Sequence, residues 1–256
     1  MDLTDSVAVV SGGSGAIGRA VVEELARAGA NVVVGYHTDR DGATDAVDRA
    51  ESHGVTARAL AADVTDPSAA GDLIDAGAEL GPLCAVVTCA GYTDPGAIED
   101  QSAADLDRHL AVNVAGAANV LGPAVERMRT GTDSGESDGG AVVAVSSVAA
   151  SLGTVDTAYA ASKSGLEGYI RGLARELGPE GVRASVVAPG PVETPMNDAI
   201  VESLEERRFR GHETVETLLD RYAAQPAEVA RAVRFLLGHE FITGEVLHVD
   251  GGMALD

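Results

Sequence analysis

Lysine is almost missing from this chain. Of its 18 basic side chains in 256 residues, all but Lys163 are arginine. Tryptophan is absent, and aromatic residues make up 3%. The 40 acids leave a net charge of −22. Nucleic-acid surfaces need basic patches and stacking rings, so this composition excludes that class of partner. No run approaches the ~18 consecutive apolar residues of a membrane helix. The opening MDLTDSVAVV is acidic and lacks the basic start of a signal peptide, which predicts a cytoplasmic protein with no membrane partner. Cysteine is scarce too: Cys84 and Cys89 lie in PLCAVVTCAG. That segment reads as a strand, where an odd spacing sends the two thiols to opposite faces. Disulfide geometry needs Cα atoms within roughly 7 Å, so no bridge is expected. There is no CxxC and no HxH, and no metal site is expected.

The acids are spread along the whole chain. Together with the loss of lysine, this points to a surface adapted to high salt. Screening there relieves self-repulsion, and hydrated carboxylates keep the protein in solution.

What is present is a buried core in alternating pieces. Apolar residues reach 45%, ample for a core. The runs SVAVVS, NVVVGY, TARALAAD, LCAVVTCAG, AVVAVSS, VRASVVAPG and EVLHVDGG alternate with Ala/Glu/Arg segments of helical character. Continuous apolar runs indicate strands covered on both faces. Their alternation with helices predicts an α/β fold, a doubly wound parallel sheet of about seven strands in a single domain. RTGTDSGESDGG, residues 129–140, cannot pack and reads as a surface loop.

SVAVVSGGSGAIGRAVVEELARAGA reads as strand, glycine turn and helix, with Gly12, Gly13, Gly15 and Gly18 in the turn. Such a turn lets backbone approach a pyrophosphate, which then meets free N–H groups at the helix start. Position raises this above an ordinary tight turn. The second strand, NVVVGYHTDR, should end at the adenosine ribose. An acid there would favour NAD. Tyr36 fills the slot, followed by His37, Thr38 and Arg40, which tilts the reading toward the 2′-phosphate of NADP(H), with NAD(H) the other possibility.

Tyr159 and Lys163 are four apart in DTAYAASKSGLEGYIRGLARELG, so they share one helix face. A phenol ordinarily titrates near ~10. A cation within ~4–6 Å favours the phenolate and would make Tyr159 a general acid or base. Arginine is a wide fork that keeps its proton, whereas lysine is compact and can pass one on. Chemistry that needs an ammonium explains why this one lysine persists. Ser146 and Ser147 follow a strand end, the edge where open α/β sheets bind ligands.

With these residues in place, the chain resembles the short-chain dehydrogenase/reductase family nearly end to end. SGGSGAIG resembles its Thr-Gly-x-x-x-Gly-Ile-Gly turn, and Ala62-Asp63-Val64 its adenine-contact motif. CAG resembles the end of its Asn-Asn-Ala-Gly motif. Asn113 in VNVAG matches the tetrad asparagine, and Tyr159-Ala-Ala-Ser-Lys163 the Tyr-x-x-x-Lys signature. PGPVETPM matches Pro-Gly-x-(Val/Ile)-x-Thr, and ITGEVLHVDGG the C-terminal strand. Within the family, the helix AQPAEVARAVRFLL and the C-terminus look most like 3-oxoacyl-carrier-protein reductases.

The resemblance implies a Rossmann-type domain over 1–256, with a substrate lid at about 195–225. It implies NADP(H)-dependent reduction of a ketone, foremost a 3-oxoacyl thioester. A sugar or secondary-alcohol dehydrogenase is the alternative, and a non-catalytic dinucleotide sensor the alternative of another class. The catalytic set is Asn113, Ser147, Tyr159 and Lys163. Tyr159 would be the general acid, with Lys163 lowering its pKa and binding the ribose. Asn113 would hold a relay water, and Ser147 would orient the carbonyl. Coenzyme would be held by Gly12, Ser14, Gly15, Ile17, Gly18, His37, Asp63, Val64, Cys89, Ala90, Gly91, Tyr159, Lys163, Pro189, Val192 and Thr194. Family members are usually tetramers, packed through the Tyr/Lys helix and the last strand.

Four departures stand out. Ala16 replaces a turn glycine, and Thr88-Cys89 replaces Asn-Asn. The stretch LLGHEFITG is short. The Ser-to-Tyr loop is also one residue short: counting back from Tyr159 points to Ser146, whereas the strand end points to Ser147. In the lid region, Arg207, Arg208 and Arg210 either hold an anionic handle or form a solvated face paired with Glu202, Glu205 and Glu206.

Overall fold

In the computed structural model, residues 1–130, 139–154, 156–207 and 217–255 are described. The first half of the chain runs β1 (Val7–Ser11), α1 (Ala16–Arg27), β2 (Asn31–Tyr36), α2 (Arg40–Glu51), β3 (Ala57–Ala61), α3 (Pro67–Leu80) and β4 (Leu83–Thr88). Then come α4 (Ala103–Leu110), a π-helical turn (Ala111–Ala115), α5 (Gly116–Thr130), β5 (Gly140–Val145), the short α6 (Ala149–Leu152) and α7 (Thr157–Leu177). The chain continues through β6 (Val182–Pro189), α8 (Pro195–Arg207), α9 (Pro226–Gly238) and β7 (Val246–Val249). Arg129 and Thr130 are helical and Gly140 is in a strand; the rest of the expected 129–140 loop lies almost wholly outside the described residues.

The seven strands form one parallel sheet in the order β3-β2-β1-β4-β5-β6-β7. Every residue of β1 and β5 is buried, as expected for strands covered on both faces. Alternate side chains feed two cores. Ala8, Val10, Val34 and Val87 meet Val22 and Leu25 of α1 and Val233 of α9. Val9, Val33, Val86 and Val142 meet Leu73 of α3, Leu121 of α5 and Ile170 of α7. From β1 the chain builds outward to β3, then returns to place β4 on the other side of β1. The crevice opens at the carboxyl ends of β1 and β4, where the order reverses. Among the described residues no helix is long and apolar enough to cross a membrane.

The cysteines depart from expectation. The β1–β4 register skips Cys84: Val7 pairs with Leu83 and Ala8 with Ala85. This bulge resets the alternation, and Cys84 and Cys89 both pack against the same core layer. Both are free thiols, and burial pushes Cys89 up to about 12.

Candidate active site

The glycine turn is shaped by what its residues lack. Gly12 has φ +67°, and a Cβ there would lie 2.5 Å from the Ala90 nitrogen. The turn after β1 and the Cys89-Ala90-Gly91 turn after β4 are therefore in direct contact. A Cβ on Gly18 would lie 2.1 Å from the Gly12 carbonyl oxygen, so α1 sits tightly on the turn. Gly15 differs: its nearest such neighbour is that same oxygen at 3.5 Å, and the residue is exposed. No side chain caps α1, which leaves its first-turn N–H groups for an anion. Ser14 is buried within the turn, and Ile17 lines the cleft described below. An open glycine cradle on an uncapped helix fits a dinucleotide pyrophosphate.

At the adenosine end, His37, Thr38 and Arg40 are exposed beyond β2. The His37 Nε2 is 3.7 Å from Asp63 Oδ2. Hydrogen bonds from the Thr65 N–H and hydroxyl hold the Asp63 carboxyl below its usual range. Val64 is buried, and its carbonyl accepts from Asn119 of α5 at 2.9 Å.

The carboxyl end of β5 meets α7 at the middle of the crevice. Asp156 caps α7 by accepting from the Tyr159 N–H at 3.0 Å. The Ser147 hydroxyl accepts from the Ala149 N–H at 3.2 Å and lies near enough to the Tyr159 phenol to oppose its rise in pKa. Ser146 turns the other way: it is buried, and its hydroxyl donates to Glu167 at 3.1 Å. Both serines line the cleft, with the Ser146 hydroxyl engaged by Glu167 and the Ser147 hydroxyl bearing on the phenol. Lys163 is 4% exposed, and its ammonium donates to the Val145 carbonyl at 2.9 Å. It lies 5.7 Å from the centroid of the Tyr159 ring.

Burial dominates the electrostatics of this pair. Burial pushes the Tyr159 phenol up to about 12, the charge of Asp156 adds to the rise, and the nearby Ser147 hydroxyl opposes it. Burial in turn brings Lys163 down to about 8. Asn113 is the remaining member of the expected set. It sits in the π-helical turn, a form often found at functional sites. Its Oδ1 accepts from the Tyr92 N–H at 2.7 Å. Its Nδ2 donates to the Tyr92 carbonyl at 2.9 Å and to the Ser162 hydroxyl at 2.8 Å. Each end of the amide thus bonds protein. Gly91 adjoins both groups: a Cβ there would be 3.5 Å from Lys163 Nζ and 3.6 Å from Asn113 Oδ1.

Ser147 and Tyr159 open into a cleft of about 420 Å³, lined mainly by apolar side chains that include Val148, Leu152, Met196, Ile200 and Met253. Pro189, Val192 and Thr194 form its inner side, with the Thr194 hydroxyl accepting from the Asn197 N–H at 3.1 Å. Of the expected lid, α8 and residues 217–225 are described. Arg208 and Arg210 lie outside the described residues, as does the side chain of Arg207. Residue-type reasoning missed the supports around Tyr159: Thr93, Gln101, His109, Asp156, Ser162 and Glu167. Asp156 carries a local signal, an acid just before a helix. The others carry none.

The chain is similar to known proteins along nearly its whole length. A family model described as enoyl-(acyl carrier protein) reductase matches residues 12–254. The chain is 38% identical to an acetoacetyl-CoA reductase of Synechocystis sp., covering 98% of this chain and 97% of the relative. It is 31% identical to the 3-oxoacyl-[acyl-carrier-protein] reductase FabG of Staphylococcus aureus, covering 99% of each. Among solved structures, a short-chain type dehydrogenase/reductase from Mycobacterium ulcerans superposes with TM-score 0.87 at 32% identity, over 99% of this chain and 91% of that one. A short chain dehydrogenase from Burkholderia cenocepacia in complex with NADP gives TM-score 0.85 at 32% identity, over 99% of each.

Proposed function

The chain belongs to the short-chain dehydrogenase/reductase family, and from that premise we propose that it reduces the ketone of a 3-oxoacyl thioester with NADPH. It is an oxidoreductase of carbonyl and alcohol groups. The observation that carries the substrate class is the cleft. Ser147 and Tyr159 stand at the floor of an apolar groove, which suits an acyl chain better than a polyhydroxylated sugar. The named relatives that act on acetoacetyl-CoA and 3-oxoacyl-carrier protein support the same reading.

Bound coenzyme supplies the hydride. The chain's own residues do the rest. Ser147 donates to the ketone oxygen and stabilises the charge that grows there. Tyr159 delivers a proton to that oxygen. A phenol near 12 in the free protein is a secure proton store, and the developing alkoxide is basic enough to take that proton. Lys163 holds the ribose hydroxyls and returns a proton to Tyr159. Asn113 steadies the relay by tying Tyr92 to Ser162 of α7, beside the place of a relay water. Thr194 and Val192 hold the carboxamide end, and the glycine turn holds the pyrophosphate. The exposed His37 and Arg40, with Tyr36 in place of an acid, support the 2′-phosphate of NADP over NAD.

Three further parts belong to this reading. Of the expected lid, α8 and residues 217–225 flank the place of the acyl chain. The outer edge of β7 and the glycines of α7 at 168 and 172, which have open space around them, meet other copies in a tetramer. The acid excess gives a protein that is most stable in concentrated salt.

The test is coenzyme oxidation with acetoacetyl-CoA in molar potassium chloride. NADPH turnover that exceeds NADH turnover, and that disappears in Tyr159→Phe, is the expected outcome. An NADH preference overturns the coenzyme reading. Coenzyme binding with no turnover of any 3-oxoacyl thioester overturns the substrate reading.

A further inference from the structure

Beside the cleft lies a set of buried groups that the roles above leave unused. Asp156 is 3% exposed. Its Oδ1 accepts from the Tyr159 N–H and from Gln101 Nε2, each at 3.0 Å. Its Oδ2 accepts from the Thr93 hydroxyl at 3.0 Å. His109 of α4 is fully buried, with Nε2 3.2 Å from that same Oδ2. The other ring nitrogen, Nδ1, lies 2.7 Å from the backbone carbonyl of Asp105. The imidazole stands edge-on to Tyr159, with ring centroids 6.5 Å apart. On its other side it packs on Tyr92 at 4.8 Å, and the Arg108 guanidinium covers Tyr92 at 4.2 Å.

A carbonyl can only accept, so Nδ1 carries a proton. A carboxylate removed from water needs a counter-charge. Among the described residues, His109 Nε2 is the basic nitrogen that lies within 4.0 Å of Asp156. Nε2 makes no aligned hydrogen bond, and at 3.2 Å from Oδ2 a bare ring lone pair would face the carboxylate. Asp105 adds a second negative charge felt by His109, and Lys163, bonded to the Val145 carbonyl, lies 5.7 Å from the centre of the Tyr159 ring. Asp105 bonds the Ser102 N–H and hydroxyl, Asp94 bonds the Tyr92 hydroxyl, and Arg108 is screened by the Tyr92 ring.

We propose that His109 and Asp156 form a buried imidazolium–carboxylate pair that positions Tyr159 and sets the charge its phenol faces. The pair ties three segments together: the stretch from Thr93 to Gln101 along the cleft wall, α4, and the first turn of α7. Tyr159 is gripped at both ends of its own residue. Asp156 holds its N–H, and the Ser162 hydroxyl donates to its carbonyl at 2.7 Å while accepting from Asn113. The charge on Asp156 raises the phenol, so the imidazolium tempers that rise. Asp156 and His109 are positioning residues, because they act through Tyr159.

Two variants separate charge from packing. Asp156→Asn keeps an acceptor for the Tyr159 N–H and deletes the charge. His109→Gln keeps a polar side chain and leaves the carboxylate uncompensated. The kinetic arm rests on the reductase reading and uses oxidation of 3-hydroxybutyryl-CoA with NADP, which needs the phenolate. The ascending limb of the kcat/KM–pH profile should move down by about one pH unit in Asp156→Asn and up by about one in His109→Gln. A merely structural role would lower the plateau in both without opposite displacements of the limb. One limb position shared by all three proteins would overturn the proposal. The second arm needs no turnover. In ¹⁵N-labelled, coenzyme-free protein at pH 7, His109 should show two ring N–H signals, assigned by their loss in His109→Gln. They should collapse to one in Asp156→Asn. A single ring N–H in the wild-type protein overturns the pair. Should the wild type leave the acyl-CoA untouched, the reductase reading fails while the ring protons still decide this one.

Discussion

The turn after β1 and the cluster on α7 face the same crevice and are built in opposite ways. The turn works by leaving side chains out. Gly12 lets Ala90 approach, Gly18 lets α1 descend onto the turn, and an uncapped helix end remains for an anion. The α7 cluster works by burying polar groups. Ser146, Asp156, Ser162, Lys163 and Glu167 are all buried, each held by a group from another part of the chain or by the strand beneath. The turn is a backbone surface written in one local stretch. The cluster comes into being only when β4, α4, β5 and α7 have come together.

The contrast is sharpest in a pair of variants. Tyr159→Phe removes one oxygen from the cluster. It should lower the reductase kcat by about a thousandfold, roughly 4 kcal/mol of barrier, within the span of general acid catalysis. Coenzyme affinity, followed by fluorescence of NADPH, should stay within about threefold. Gly18→Ala adds one carbon to the turn, and that carbon would meet backbone at 2.1 Å. It should cost roughly 3 kcal/mol in urea unfolding and weaken coenzyme binding about a hundredfold. Gly15→Ala, with open space around it, should leave stability unchanged within about 0.5 kcal/mol. If Gly15→Ala were as damaging as Gly18→Ala, the turn would not work by close backbone approach.

That difference in construction decides what can be read without coordinates. The strand runs, the doubly wound order and the glycine turn are local patterns, and the observed sheet has the strands expected of them. The Tyr159–Lys163 spacing is local as well. The partners of these two residues are not. His109 and Asp156 are 47 positions apart and meet through the return of α7 to α4. A lone histidine in a helix carries no mark of that meeting. Cys84 shows the same limit on a smaller scale. Alternation sends it away from Cys89, and a bulge, which alternation cannot foresee, brings it to the same side. The phenol's electrostatics were also out of reach. Spacing puts the ammonium near the ring, but only coordinates show it held by Val145.

Lys163 gives a smaller effect with a sign that divides the cluster from the fold. Burial holds it at about 8, below its ordinary 10.5. Reduction needs the ammonium, so kcat/KM should be level below pH 8 and fall about tenfold per unit above it. Stability should run the other way. Below about 8 the lysine is charged both folded and unfolded, and its burial penalty is felt in full. Between about 8 and 10.5 the unfolded chain binds the extra proton, so stability rises with pH by up to about 1.4 kcal/mol per unit. Urea unfolding of wild type against Lys163→Met, from pH 7 to 10, isolates this contribution. A difference that does not change with pH would mean the lysine is not desolvated in solution.

The smallest prediction concerns the seam between the two regions. Ser11 ends β1 and Thr88 ends β4, and they are register partners. Both are buried, and among the described residues neither hydroxyl has a hydrogen-bond partner. Thr88-Cys89 stands where the family commonly carries two amides, so this seam has lost a bracing group and kept an unpaired hydroxyl. A buried hydroxyl without a partner costs about 1–3 kcal/mol, and valine has nearly the same shape without that cost. Thr88→Val should therefore raise stability by about 1 kcal/mol, or roughly 2–4 °C in Tm. Coenzyme affinity and kcat should move less than about twofold, because the hydroxyl serves neither the turn nor the cluster. A loss of stability would show that the hydroxyl has a partner, such as a water bridging the two strands. The seam would then be a polar link between the regions rather than a gap between them.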